Sequence, residues 1–137
     1  MTYLLDTNVC IVLINGTSER VRSHFESALD QKATVCISTI SVFELWYGVA
    51  KSSRPDQNAR QVRAFLAAPL EITSFDEEDG STAGTIRAAL ERVGKPIGAY
   101  DLLIAGQASR RGWTLVTSNV SEFARIKGLA WQDWERA

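Results

Sequence analysis

The chain lacks most of the side chains that nucleophilic and zinc enzymes use, because it holds one histidine and two cysteines among 137 residues. His24 lies beside Phe25 in a mixed helical stretch with no metal-binding motif near it. A structural role is expected for it, and a Ser-His-Asp arrangement is poorly supported. Cys10 and Cys36 lie in apolar runs and form no Cys-x-x-Cys pair. We therefore expect two buried thiols rather than a disulfide or a zinc site.

An excess of charge and a long hydrophobic run are also missing. The net charge is −1, so composition gives no global signal for nucleic acid, and an RNA partner would need a local basic surface. No apolar stretch is long enough to cross a bilayer, and the N-terminus has no basic segment of a secretory signal. These absences favour a cytoplasmic protein with no membrane partner, and the length favours one domain over residues 1–137.

Short β-rich runs alternate with amphipathic helical stretches along the chain. This alternation predicts βαβ units and an α/β fold: a three-layer α/β/α sandwich around a mostly parallel sheet of four to five strands. The predicted strands cover residues 2–5, 34–37, 71–75, 114–116 and 129–131. The predicted helices cover 9–14, about 19–31, from 41 onward, about 58–67, from the acidic run 76–79 to near 94, 100–111, and a turn at 123–126.

Three carboxylates come where an apolar run meets a predicted helix start: Asp6, Glu44 and Asp101. Ligands of an open α/β sheet bind beyond the carboxyl ends of its strands. Acids gathered there could share a hard divalent cation, Mg²⁺ or Mn²⁺, which suits phosphate chemistry. Each acid also has a local explanation, since Asp6 could cap a helix, Ser41 and Glu44 match a capping box, and Asp101 suits a first helical turn. The placement of all three on one side of the sheet favours a shared site.

A fourth polar cluster follows the strand predicted at 114–116. Thr117 and Ser118 either bind an activated water or a phosphate, or begin a turn. Asn119 could contribute only a carbonyl oxygen or orient water, and Glu122 either supplies further charge or lies on the surface. Near the first acid, Asn8 either orients a carboxylate or forms an Asx-turn.

Four segments in this order and spacing resemble the PIN-domain ribonucleases, and more narrowly the VapC-type toxins of bacterial toxin–antitoxin pairs. They are Leu-Leu-Asp6-Thr-Asn8, Ile-Ser-Thr-Ile-Ser-Val-Phe-Glu44-Leu-Trp-Tyr-Gly48, Gly98-Ala-Tyr-Asp101-Leu-Leu-Ile-Ala105 and Leu-Val-Thr117-Ser-Asn119-Val-Ser-Glu122-Phe123. The resemblance runs nearly from end to end and implies Mg²⁺- or Mn²⁺-dependent endonucleolytic cleavage of RNA.

The resemblance also implies roles for individual residues. Asp6, Glu44 and Asp101 match the acidic triad that holds the metal and the attacking water, while Asn119 and Glu122 complete the catalytic set. Many PIN domains have an aspartate at the position of Asn119, so this chain departs from that form and binding of a second metal stays open.

The same resemblance implies two protein partners, a VapB-like antitoxin and a second copy of the chain in a homodimer. An amphipathic antitoxin segment would enter an apolar groove, for which Trp46, Tyr47 and Val49 are candidates, and core packing is favoured for Trp46. Two basic stretches could contact RNA phosphates, or could be ordinary solvated faces. They contain Lys51, Arg54, Arg60 and Arg63, and Arg87, Arg92 and Lys95.

Two other functions stay open from the sequence. One is a phosphatase or phosphotransferase that uses Asp6 as nucleophile, although its usual second acid would fall at Asn8. The other is an interaction module that keeps the fold and has weak or no turnover, which the neutral Asn119 would suit.

Overall fold

Five strands and seven helices occupy residues 1–136, the part of the chain that this computed structural model describes. The strands are β1 (Thr2–Leu5), β2 (Thr34–Ser38), β3 (Glu71–Thr73), β4 (Thr114–Val116) and β5 (Trp131–Gln132). The helices are α1 (Thr7–Asn15), α2 (Glu19–Asp30), α3 (Thr39–Lys51), α4 (Pro55–Leu66), α5 (Glu77–Arg92), α6 (Ala99–Arg111) and α7 (Val120–Phe123). Ala137, the last residue of the predicted domain, lies outside the described residues.

The strands form one parallel sheet in the order β3-β2-β1-β4-β5. The chain therefore builds outward from β1 on one side, and then crosses back to add β4 and β5 on the other. A ligand crevice forms at the carboxyl ends of strands where the order reverses, which here is between β1 and β4. The predicted α/β/α fold is confirmed.

Each face of the sheet is buried under its own layer of helices, because successive strand residues point to opposite faces. Leu5 packs into a core with residues of α1 to α4, whereas Leu4 packs with residues of α5 and α6. Cys10 belongs to the first core and Cys36 to the second, and both are free thiols as predicted. Within residues 1–136, no helix combines the length and hydrophobicity that a membrane span requires.

The histidine has the structural position that the sequence indicates. His24 on α2 is half-buried, and its ring stacks on Trp134 with the centroids 5.8 Å apart. Trp134 also meets the Tyr3 ring edge-on at 5.4 Å. These contacts attach the C-terminal segment to α2 and β1.

The predicted third strand, 71–75, is wrong at its C-terminal end, because β3 stops at Thr73. The Ser74 carbonyl accepts hydrogen bonds from Gln107 (3.3 Å) and Arg111 (3.0 Å) instead of pairing with a strand. The Phe75 N–H donates to the Thr39 hydroxyl at 3.1 Å. Side chains from α3 and α6 therefore take the backbone groups that a longer strand would have used.

Other boundaries also differ from prediction. Helix α4 starts three residues early, at Pro55, because a proline fits the first helical position, where its missing N–H is not needed. Strand β5 lies at Trp131–Gln132 instead of 129–131, because Leu129 is drawn into the core. The turn predicted at 123–126 is the helix Val120–Phe123.

The acidic run 76–79 caps α5 as predicted, and it also clamps α5 to α6. Asp76 and Asp79 form a reciprocal capping box. Asp79 is fully buried and accepts from Arg110 at 2.7 Å and Arg111 at 2.8 Å. Burial alone would raise the pKa of Asp79, but the hydrogen bonds from both arginines outweigh it and lower that pKa from 3.8 to about 2.

The same two helices touch closely along their length. A Cβ placed on Gly106 of α6 would lie 2.6 Å from the Cβ of Ala83 on α5, closer than real side chains approach. Glycine is thus required there by the helix–helix distance, and the clamp at Asp79 holds that distance fixed.

We expect Asp79→Asn to lower the free energy of unfolding by about 3 kcal/mol, because it leaves two arginines without their buried partner. The stability that Asp79 contributes is present above pH 3.8 and is lost as the pH falls through about 2, since its folded pKa is depressed. Urea unfolding at pH 7 and between pH 4 and 2 measures both effects.

Glu78→Gln is the matched control. Its carboxylate also pairs with Arg110 at 2.8 Å but is 78% exposed, so the loss should stay within about 0.5 kcal/mol. An equal loss in the two variants would contradict the clamp.

Candidate active site

Asp6 lies at the carboxyl end of β1, between the sheet and α1. Its carboxylate accepts from the Val9 N–H at 2.8 Å and caps α1, and the side chain is buried. Its own N–H donates to the Val116 carbonyl at 3.0 Å, which places Asp6 beside Thr117 at the end of β4. Burial raises the pKa of Asp6 and the charge of Glu44 adds to this, while hydrogen bonds from Thr117 and Val9 oppose it.

Glu44 faces the same crevice from α3, and the capping box expected between Ser41 and Glu44 is wrong. Helix α3 begins at Thr39, two residues before the predicted start, and the Ser38 hydroxyl caps it by accepting from the Ile40 N–H at 3.0 Å. Ser41 is consequently inside the helix and fully buried. It is available to another partner.

That partner is Thr7, which holds Glu44 in place. The Thr7 hydroxyl donates to the Glu44 carboxylate at 2.6 Å and lies 2.9 Å from the Ser41 hydroxyl. Because Thr7 has one hydroxyl proton, Ser41 must be the donor in the second bond. Ser41 thus donates to Thr7, Thr7 donates to Glu44, and these two hydrogen bonds orient the Glu44 carboxylate. The sequence does not indicate them, because serine and threonine are also common in turns and caps.

Asp101 enters from the first turn of α6, as predicted. Its carboxylate folds back towards the start of the helix, where a Cβ on Gly98 would lie 3.4 Å from an Asp101 oxygen. Burial, and to a smaller extent the charges of Asp6, Glu122 and Glu44 in that order, raise the pKa of Asp101 from 3.8 to about 6. Four carboxylates from four chain segments therefore act on one another.

The polar cluster after β4 contributes three of its members to this group: Thr117, Asn119 and Glu122. Thr117 is fully buried, and its hydroxyl accepts from the Asn119 N–H at 3.0 Å while its hydrogen bond to Asp6 stabilises that carboxylate. The Asn119 amide donates to Glu122 at 3.0 Å. Asn119 therefore orients Glu122 directly, a contact that the sequence did not indicate.

Asn8 and Ser118 are placed differently. Asn8 lies in α1, not in a turn, and is exposed; among the residues described here its side chain bonds to neither nearby acid. Ser118 is exposed and lines a small hollow with Val12 and Trp134, on the side of the C-terminal segment. The structure does not join either side chain to the carboxylates.

The donor set fits a hard divalent cation better than any other group. It is built of carboxylate, hydroxyl and amide oxygens, and over residues 1–136 no lysine or arginine forms an ion pair with these acids. In the same range no three His, Cys, Asp or Glu side chains are close enough to ligate one ion unaided. Mg²⁺ usually keeps several waters and needs only one or two direct carboxylates, so the spacing is compatible with it.

Comparison with known proteins agrees with this geometry. The family model described as PIN domain matches residues 3–129. The chain belongs to the PIN-domain family.

Relatives of this PIN domain carry VapC names. It is 40% identical over 134 residues to the tRNA(fMet)-specific endonuclease VapC of Salmonella typhimurium, covering 98% of each chain. It is also 40% identical over 136 residues to Ribonuclease VapC2 of Rickettsia felis, covering 99% of this chain and 100% of that one. A crystal structure of VapBC2 from Rickettsia felis bound to a promoter DNA fragment superposes with a TM-score of 0.91 at 39% identity, covering 98% and 99% of the two chains.

Two clefts of this PIN domain meet at Glu44. The first, here called the apolar groove, has a volume of about 260 Å³ and runs between α1, α3 and α4. The second, the aromatic cleft, has a volume of about 560 Å³ and opens between α1, α3 and the start of α6. Of the predicted groove residues, Val49 lines the apolar groove, Tyr47 lines the aromatic cleft, and Trp46 packs against the core.

The pH dependence of stability should report the crowding at Asp101. Because its folded pKa of about 6 exceeds 3.8, the stability present below pH 3.8 is lost as the pH rises through about 6. Asp101→Asn should therefore unfold at higher urea concentration than the wild type at pH 7 in EDTA, by about 1 kcal/mol after solvent screening.

This advantage of Asp101→Asn should vanish at pH 4, where the wild-type carboxyl is protonated. Glu91→Gln, an exposed carboxylate-to-amide change on α5, should show no such pH-dependent gain. A variant at Asp101 that is no more stable than wild type at pH 7 would contradict the crowding.

Proposed function

We propose that this PIN domain is a metal-dependent endoribonuclease and the toxic component of a type II toxin–antitoxin pair, acting in the cytoplasm. The observation that carries the proposal is the group of mutually repelling carboxylates at the point where the strand order reverses. The names of the Salmonella and Rickettsia relatives support RNA as the substrate.

The contacts of each residue suggest its role in catalysis. Asp6 and Asp101, whose charges act on each other, would hold Mg²⁺ or Mn²⁺. The ion would polarise the phosphoryl oxygens and lower the pKa of a water. Glu44, oriented by Thr7, would accept the proton of the attacking water, and Glu122, oriented by Asn119, would add negative charge on the far side.

The phosphotransferase alternative is not favoured by the geometry. Asp6 would be the nucleophile, and a nucleophile of this kind needs a nearby activating group. The second acid would stand at Asn8, which is neutral and exposed, and within the described part of the chain its side chain makes no bond to Asp6.

Cleavage of RNA by antitoxin-free protein tests the proposal. The wild type should cut the initiator tRNA with Mn²⁺ and lose this activity in EDTA. Asp6→Asn and Asp101→Asn should each lower the rate by at least about 100-fold, because removing a metal ligand or its charge removes the electrostatic stabilisation of the transition state.

Glu91→Gln is the matched control and should cut like the wild type. Mn²⁺ should raise the melting temperature of the wild type and not of Asp101→Asn, which reports metal binding without activity. If RNA stays intact at all Mn²⁺ concentrations, the proposal is refuted and the interaction module is favoured. Hydrolysis of phosphomonoesters with a trapped aspartyl phosphate would instead favour the phosphotransferase.

We further propose that the apolar groove receives an amphipathic segment of a VapB-like antitoxin, and the similarity to the VapBC2 structure from Rickettsia felis supports such a partner. Gly48 lines this groove, and a Cβ added there would meet no atom within 4 Å. Apolar side chains from three helices, among them Ile11, Leu45 and Val62, line it together with polar ones. A basic antitoxin side chain could then reach Glu44, which lines the groove. The homodimer stays a prediction.

Gly48→Leu should weaken antitoxin binding by at least about tenfold while helix propensity adds about 0.5–1 kcal/mol of stability. Isothermal titration with a VapB-like antitoxin that binds the wild type measures the first effect. Gly84→Leu is the matched control, because Gly84 also lies inside a helix with open space around it. Equal binding by both variants would contradict the groove.

A further inference from the structure

Three aromatic side chains form an exposed wall beside the acids, here called the aromatic wall: Phe43, Tyr47 and Tyr100. They are 51%, 58% and 47% exposed. Phe43 lies 5.5 Å from Tyr100 and 6.4 Å from Tyr47 between ring centroids. Large apolar side chains that remain this exposed contribute little to the core, so their grouping calls for a role outside folding.

The wall is continuous with the candidate catalytic group. Phe43, Tyr47 and Lys51 follow one another at four-residue intervals and so share one face of α3, next to Glu44. Thr7 and Glu44 line the same cleft as the three rings. If the backbone of a chain-like substrate reached Glu44, the neighbouring residues of that substrate would therefore lie against the aromatic wall.

The aromatic cleft carries a positive charge, the Lys51 ammonium, that suits a polyanion. The Lys51 ammonium lies 4.9 Å from the centroid of the Tyr47 ring. Over residues 1–136 no carboxylate is within ion-pair distance of Lys51. By contrast, Arg87, in the other basic stretch, is already paired with Glu91. Lys51 can thus contact a phosphate of a nucleic acid that is bound in the same cleft as Glu44.

We propose that the aromatic wall stacks unpaired nucleobases next to the scissile phosphate, with Lys51 on a neighbouring phosphate. This inference rests on the proposed function. Ring faces beside a cationic groove are the usual platform for single strands, because every base offers a π-face. In an A-form duplex the bases stack on one another and cannot reach a protein ring.

Kinetics on a labelled single-stranded oligoribonucleotide that the wild type cuts will test this. Tyr47→Leu and Phe43→Leu keep an apolar side chain and remove the ring, and each should lower kcat/KM at least about fivefold, chiefly by raising KM. Tyr47→Phe keeps the ring and should raise KM much less than Tyr47→Leu does. The same RNA annealed to its complement should be cut much more slowly.

Abasic nucleotides identify the stacked base. Replacing the nucleotides around the cleavage site one at a time should give one position where wild-type cleavage falls as far as it does in Tyr47→Leu. At that position the variant should lose nothing more, because the two changes remove one interaction. Additive losses at every position would overturn the proposal.

Trp131→Leu removes an exposed ring at the far edge of the sheet and should leave KM unchanged. The proposal is overturned if the Leu variants cut with wild-type KM, if duplex RNA is cut equally fast, or if the variants lose affinity only for the antitoxin. A wild-type protein that cuts no RNA would instead refute the proposed function, and this outcome is separate because the wild type is assayed first.

Discussion

Mutual repulsion among carboxylates is the constraint on which the candidate site depends. Asp6, Glu44 and Glu122 each receive a hydrogen bond from a neighbouring hydroxyl, backbone or amide group. For Asp101 every resolved contribution raises the pKa. The site therefore keeps one carboxylate whose charge is poorly compensated by the protein, and this is where a cation would gain the most.

Helix α6 connects that strained position to the most strongly anchored part of the molecule. Its N-terminal turn carries Asp101, while its C-terminal turn carries the two arginines that clamp Asp79. Close contact at Gly106 fixes the same helix against α5. A rigid helix with one anchored end can hold an acid against like charges without moving away, which is what preorganisation requires.

The sequence allowed the sheet and its parallel direction to be predicted, because short β-rich runs alternate with helical stretches. It also allowed the edge carrying the acids to be predicted, because Asp6 directly follows β1, and Glu44 and Asp101 lie near the starts of helices. It did not reveal the hydroxyl chain through Thr7 and Ser41, since both residues are equally common in turns and caps. Nor did it reveal the buried clamp, because Asp79 in an acidic run has the pattern of a solvated helix start. Asp79 is buried because Arg110 of α6, a helix far along the chain, pairs with it.

The two clefts have a joint consequence, because Glu44, Gly48 and Ile11 line both of them. A peptide segment seated in the apolar groove would cover one side of Glu44, and a base stacked on the aromatic wall would need space on the other. Occupants of adjoining clefts that share wall residues compete even when each has its own pocket. Inhibition of such a nuclease would then need no change of fold, only occupation of the groove next to Glu44, the proposed proton acceptor.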